Sequence, residues 1–151
     1  MQVERRKPVF KDRRGVITDI LQRIKIDSIT IITSKKGAVR GNHYHKKTTQ
    51  YAYVLRGKFR LYTQDDGGKI ERKVVNEGDL ITTPPLERHA FVALEDSLML
   101  TCFLGPRRGK DYEDDTYGLD VPITGRPGKL PRWKNTYLYR SLFWLRSNPV
   151  T

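Results

Sequence analysis

This chain has three histidines, His43, His45 and His89. Their neighbours fall into two regular spacings. The first runs Gly37, five residues, His43-Tyr44-His45, four residues, Gln50, six residues, Gly57. The second runs Gly78, five residues, Pro84, four residues, His89. Neutral imidazole is both the commonest metal ligand and a proton carrier near neutral pH. Three imidazoles with the side-chain oxygen of Gln50 suit one divalent cation such as Zn, Mn, Fe or Ni. Such a donor set leaves one or two positions for water or substrate. The expected metal ligands are therefore His43, His45, Gln50 and His89.

These residues need scaffolding. Two positions apart on a strand, His43 and His45 share one face. The Lys46-Lys47-Thr48-Thr49 stretch reads as a turn that returns Gln50 to the same centre. Pro84-Pro85 ends a strand and delivers His89 from a distant segment. Around them the chain reads as an all-β meander. Strands are expected at Gly15–Leu21, Ser28–Thr33, Tyr51–Tyr62, Lys69–Val75, Leu80–Thr83, Ala90–Leu94 and Leu98–Leu104. Asp65-Asp66-Gly67-Gly68 is a hairpin turn, and Asn76-Glu77-Gly78-Asp79 is another. Short strands between frequent turns indicate a sandwich or barrel.

After Gly105 the pattern changes to Pro- and Gly-rich sequence. A terminal helix is expected over Trp133–Arg146, where Trp133, Tyr137, Tyr139, Phe143 and Trp144 would pack on the barrel or on a partner. The chain thus divides into a basic N-terminal arm (1–14), a barrel (15–105) and a basic, aromatic C-terminal extension (106–151).

At 151 residues the chain is long enough for one domain with a proper core. No run of 18 apolar residues spans a membrane, and the first residues lack a secretory apolar stretch. A cytoplasmic location is the default expectation. One cysteine, Cys102, precludes an internal disulfide and reads as a buried, inert thiol. The net charge is +12. Nucleic acid is the first partner such a charge suggests, but no helix-turn-helix, zinc-finger or RNP-type motif accompanies it. An anionic small substrate is the better expectation.

The two spacings resemble the two motifs of the cupin superfamily. That resemblance implies an RmlC-like, double-stranded β-helix (jelly-roll) barrel, commonly a homodimer, with the metal in its mouth. Two departures stand out. The first motif usually has Glu where this chain has Gln50, and the second usually has Gly and Asn where this chain has Leu86 and Ala93. A neutral amide is a weaker ligand and a poor general base. Arg40-Gly-Asn-His43-Tyr-His45-Lys46 is similar to a signature of cupins in polysaccharide and deoxysugar biosynthesis. Phe10–Gly15 and Asp111–Tyr117 are similar to stretches at either end of those domains.

The resemblance implies an isomerase or epimerase acting on a nucleotide-activated sugar. Such a reaction moves a proton beside a carbonyl and needs a base, an acid and a group to hold the enolate oxygen. His43 or His45 is the candidate base. Tyr44, Tyr51, Tyr53 and Tyr62 are the phenol candidates. Strand alternation turns Tyr44 away from the histidines, which favours Tyr53 or Tyr62. Arg40, Lys46, Arg60 and Arg88 are the candidates for a diphosphate. A metal-dependent dioxygenase or lyase on a small keto acid or phenol is the second reading. A non-catalytic module that binds a sugar or anion is the third.

Overall fold

The computed structural model describes residues 1–66, 68–106 and 114–125, and among them every regular element is a β-strand. Two five-stranded antiparallel sheets face each other. The first has the order β1 (Gln2–Arg5), β9 (Asp79–Thr83), β6 (Thr49–Arg56), β11 (Ser97–Leu104), β4 (Ser28–Ser34). The second has the order β12 (Tyr117–Gly118), β5 (Val39–Tyr44), β10 (Arg88–Ala93), β7 (Lys58–Gln64), β8 (Ile70–Asn76). A small hairpin, β2 (Phe10–Asp12) with β3 (Gly15–Ile17), stands apart. This is the jelly-roll architecture of the cupin expectation.

Side chains alternate across each strand, so register decides what faces the interior. On β6, Gln50, Ala52 and Val54 are buried, whereas Tyr51, Tyr53 and Leu55 are not. Opposite them on β11 lie Phe103, Thr101 and Met99, all buried. From the second sheet, Phe59, Leu61, Val75, Phe91 and Ala93 complete one apolar cluster with Ala52, Val54, Ile81 and Met99. Phe59 and Phe91 meet edge to face at 6.1 Å, a favoured aromatic geometry. The core fills one end of the barrel. Gln50, Thr83 and the histidines sit beyond it, on the same inward-facing rows.

Three expectations change. Tyr51–Tyr62 is two strands, because Gly57 turns the chain at φ +89° with Ser97 packed against its α-carbon. The expected strand Gly15–Leu21 stops at Ile17. Beyond it, Arg6 donates two hydrogen bonds to the Asp19 carbonyl, at 3.0 and 2.8 Å, and holds the chain out of a ladder. The basic arm 1–14 is no separate unit at its start. Val3 sits opposite Ile81 and packs on the core, so β1 joins the first sheet with its charges outward. The expected helix Trp133–Arg146 lies outside the described residues.

The first sheet ends in β4, and among the described residues no strand pairs with its outer edge. Ile29 and Ile31 project from it, 65% and 61% exposed. Cys102 is buried, which raises the pKa of its thiol.

Candidate functional site

His43 reaches the interior through a bulge. In the β5–β10 pairing Val39 faces Val92, Arg40 faces Phe91 and Gly41 faces Ala90, then the register shifts and His43 faces His89. Gly41 and Asn42 absorb the extra residue at φ +91° and +58°, the left-handed values a bulge of this kind uses. A Cβ on Gly41 would lie 2.7 Å from the His89 carbonyl oxygen, so only glycine fits. Without the bulge His43 would point outward. His45 follows just past the end of β5 and is buried, with Tyr44 between them turned to the outside.

His89 is wholly buried. The ring centroids of His43 and His89 lie 4.7 Å apart, those of His43 and His45 4.8 Å, and those of His45 and His89 5.5 Å. One nitrogen from each ring lies within 4.8 Å of the other two. The spacing seen in the sequence thus corresponds to one convergent cluster.

Hydrogen bonds set which nitrogen points inward. His89 Nδ1 donates to the Glu87 carbonyl at 3.1 Å, and His45 Nδ1 donates to the Asp115 carbonyl at 2.9 Å. A carbonyl only accepts, so these Nδ1 atoms carry the protons and the Nε2 lone pairs are free to act as ligands. His89 Nε2 is buried without a hydrogen-bond partner. Burial pushes the His89 pKa down to about 4, outweighing the raising effect of the Glu87 carbonyl. The ring is therefore neutral at physiological pH, the form that binds metal.

Gln50 is buried on β6 with its Oε1 3.3 Å from His45 Nε2. With the proton on Nδ1, two acceptors face each other across that gap. A cation between them would satisfy both lone pairs, as would a rotated amide. Thr83, opposite Gln50 on β9, adds a buried hydroxyl with no partner. An orphaned imidazole nitrogen, a second lone pair facing an amide oxygen and a third histidine fit a divalent cation well. The four expected ligands are brought together.

The expected phenols are not. Tyr53 shares β6 with Gln50 but alternates to the opposite face. Tyr62 lies on the outer face of the second sheet, packed with Ala90 and Ile123. Both were favoured because Tyr44 points away. Alternation from the inward residues Gln50 and Thr63 turns them away too.

The four expected cations disperse. Arg60 and Arg88 alternate with Leu61 and His89 onto the outer face of the second sheet. Arg88 there lines a 540 Å³ cavity with Tyr44, Gln64 and Asp120, on the face of the sheet opposite His89. Arg40 spans to the other sheet, donating to the Thr33 carbonyl at 2.8 Å. Lys46 holds its ammonium 4.1 Å over the Tyr117 ring, which stacks on Tyr44 at 5.3 Å.

Asp115 escaped the sequence reading. It is buried, and its carboxylate accepts from the amides of Lys46, Lys47 and Thr48 and from the Thr48 hydroxyl. Burial alone would raise its pKa. The Thr48 hydroxyl and the three amides outweigh that and hold it below the ordinary carboxylate value. Its signal was an acid in the Asp111–Tyr117 stretch, but nothing local tied that acid to His45.

Comparison with known proteins agrees with this architecture. A dTDP-4-dehydrorhamnose 3,5-epimerase from Sulfolobus tokodaii superimposes with a TM-score of 0.64 at 23% identity, covering 80% of this chain and 77% of the epimerase. QdtA, a sugar 3,4-ketoisomerase from Thermoanaerobacterium thermosaccharolyticum solved with TDP, gives 0.64 at 20% identity over 77% of this chain and 85% of its own. NovW, a 4-keto-6-deoxy sugar epimerase from Streptomyces spheroides, gives 0.64 at 16% over 78% and 67%. None of the curated proteins matches by sequence. The family described as polysaccharide biosynthesis C-terminal domain matches residues 10–117, from the β2 hairpin to the strand beside His43, and the chain belongs to that family.

Proposed function

We propose that this protein is a metal-binding cupin enzyme that isomerises or epimerises a nucleotide-activated sugar. The carrying observation is the convergence of three imidazoles, two of them held by Nδ1 hydrogen bonds, with the buried amide oxygen of Gln50 3.3 Å from the Nε2 of His45. The family's place in polysaccharide biosynthesis and the sugar-nucleotide enzymes that share the fold support the substrate class.

His43, His45, His89 and Gln50 would hold the cation. When bound, it supplies a Lewis acid that polarises a carbonyl and steadies an enolate oxygen. His45 and His89 are locked by their Nδ1 bonds. His43 is only half-buried, so it is the imidazole a sugar meets first. In the metal-free site it is the group that takes a proton from carbon and returns it. The interior hydroxyl of Thr83 is placed to receive a sugar oxygen. Arg40 and Lys46, at the two ends of the Gly41–His45 segment, add to the net charge of +12, whose field favours an anionic diphosphate.

Two measurements test this. Calorimetry with dTDP, UDP and a neutral monosaccharide should show tighter binding of the nucleotides, weakening as salt rises, because exposed charges are screened beyond about 8 Å at physiological ionic strength. Deuterium exchange at the carbon beside a 4-keto sugar nucleotide should occur in D2O. Tighter binding of the neutral sugar, or no exchange with loaded or chelated protein, would defeat the reading.

We also infer that two copies associate through β4. Among the described residues no strand pairs with the outer edge of this seven-residue strand, and Ile29 and Ile31 are exposed on it. An edge of that kind pairs with its own copy by a two-fold axis. Sedimentation equilibrium should give a dimer for the wild type and a monomer for Ile31→Lys. A monomeric wild type at micromolar concentration would remove this inference.

A further inference from the structure

We infer that Asp115, which lies beyond the barrel, is the positioning residue that aims His45 into the site. This rests on the reading of the histidine cluster as the functional centre. The loop after His45 presents three successive backbone N–H groups, and one carboxylate collects them all. Asp115 Oδ1 accepts from Lys46 N at 3.1 Å. Oδ2 accepts from Lys47 N at 2.9 Å, Thr48 N at 2.7 Å and the Thr48 hydroxyl at 2.7 Å. The same residue's carbonyl accepts a hydrogen bond from His45 Nδ1–H at 2.9 Å. Asp115 therefore contacts both the backbone on which His45 sits and the ring nitrogen that carries the proton, and the Thr116 hydroxyl is a longer neighbour of that nitrogen at 3.4 Å.

The anchoring extends further. The His45 carbonyl accepts from Leu86 N at 2.6 Å, tying this loop to the one that leads into His89. Two residues after Asp115, Tyr117 and Gly118 pair with Tyr44 and His43. The strap 115–118 thus runs alongside both histidines of the first segment. The charge-assisted bonds around Asp115 are the strong kind, and outer partners of ligating histidines typically govern affinity by about 10–100-fold.

Asp115→Asn is the sharp test, because it keeps the shape. An amide has one oxygen and a donating NH2 group, and it cannot accept from three amides and a hydroxyl at once. The readout is the long-range 1H–15N spectrum of the imidazole rings in the full-length protein at neutral pH, followed by titration with Co2+. In the wild type His45 should show the Nδ1–H tautomer. In the variant it should show a mixture of both tautomers, and Co2+ affinity should fall about 10–100-fold. A wild-type tautomer and wild-type affinity in the variant would overturn the inference. If Asp115→Asn fails to fold, Thr48→Val removes one bond to the same oxygen. A few-fold loss of affinity with a shifted His45 signal supports the inference, and an unchanged His45 signal overturns it. Should the wild type bind no Co2+, the cation reading fails, while the tautomer spectrum still decides the role of Asp115.

Discussion

Replacing His89 with alanine should lower divalent-cation affinity by more than about 100-fold, beyond the loss typical of an outer-shell partner, and leave the barrel folded. The two halves of this result have separate causes. Affinity falls because His89 is the ligand most fully withdrawn from solvent, and its Nε2 has no hydrogen-bond partner to release. Stability changes little because opposing terms offset. The substitution opens a cavity and removes the Nδ1 bond to the Glu87 carbonyl, both of which destabilise. It also deletes a buried polar nitrogen that carries an unsatisfied desolvation cost of about 1–3 kcal/mol. The metal-free variant should therefore melt near the metal-free wild type. Calorimetric titration with Zn2+ and a thermal melt with chelator are the two checks. His43→Ala and His45→Ala should weaken binding in the same direction. Wild-type affinity in His89→Ala would mean that the three rings meet for packing alone.

The clustering of the three histidines was legible in the sequence because it depends on spacing. Five residues from Gly37 to His43 and four from Pro84 to His89 place the rings whatever the details between. The reason His43 faces inward was less legible. Simple alternation put both rings on one face, but Arg40 pairs with the interior Phe91 three residues before His43 pairs with the interior His89, and only the Gly41-Asn42 bulge reconciles the two. The Gly-Asn pair inside a strand was the available sign. The tyrosines were misjudged for a related reason. Alternation was applied to Tyr44 within its own strand but not carried across the sheet from Gln50 to Tyr53, or from His89 to Tyr62. Asp115 was illegible because its partners lie about seventy residues away, and no local pattern encodes a contact closed by the fold.

The departure at residue 50 gives the other large effect. Gln50→Glu should tighten divalent-cation binding by at least about tenfold, roughly 1.4 kcal/mol. The gross attraction is larger. A unit pair at about 4 Å contributes about 4 kcal/mol at an effective dielectric constant of 20, and a divalent ion doubles it. Much of that is offset, because Gln50 is buried and a carboxylate there must leave water. The same offset predicts the sign in the metal-free protein. A buried carboxylate without its cation is costly, so chelated Gln50→Glu should melt below chelated wild type. Loaded with Zn2+, it should gain more than the wild type gains, since stabilisation grows as the logarithm of ligand concentration over Kd. The variant therefore widens the gap between empty and loaded melting temperatures from both ends. Competition with a chelating dye measures the affinity, and paired melts measure the gap. A carboxylate that left both unchanged would place residue 50 outside the reach of any cation held by the three histidines, and the amide oxygen beside His45 Nε2 would then be read as a rotated amide donating to the ring.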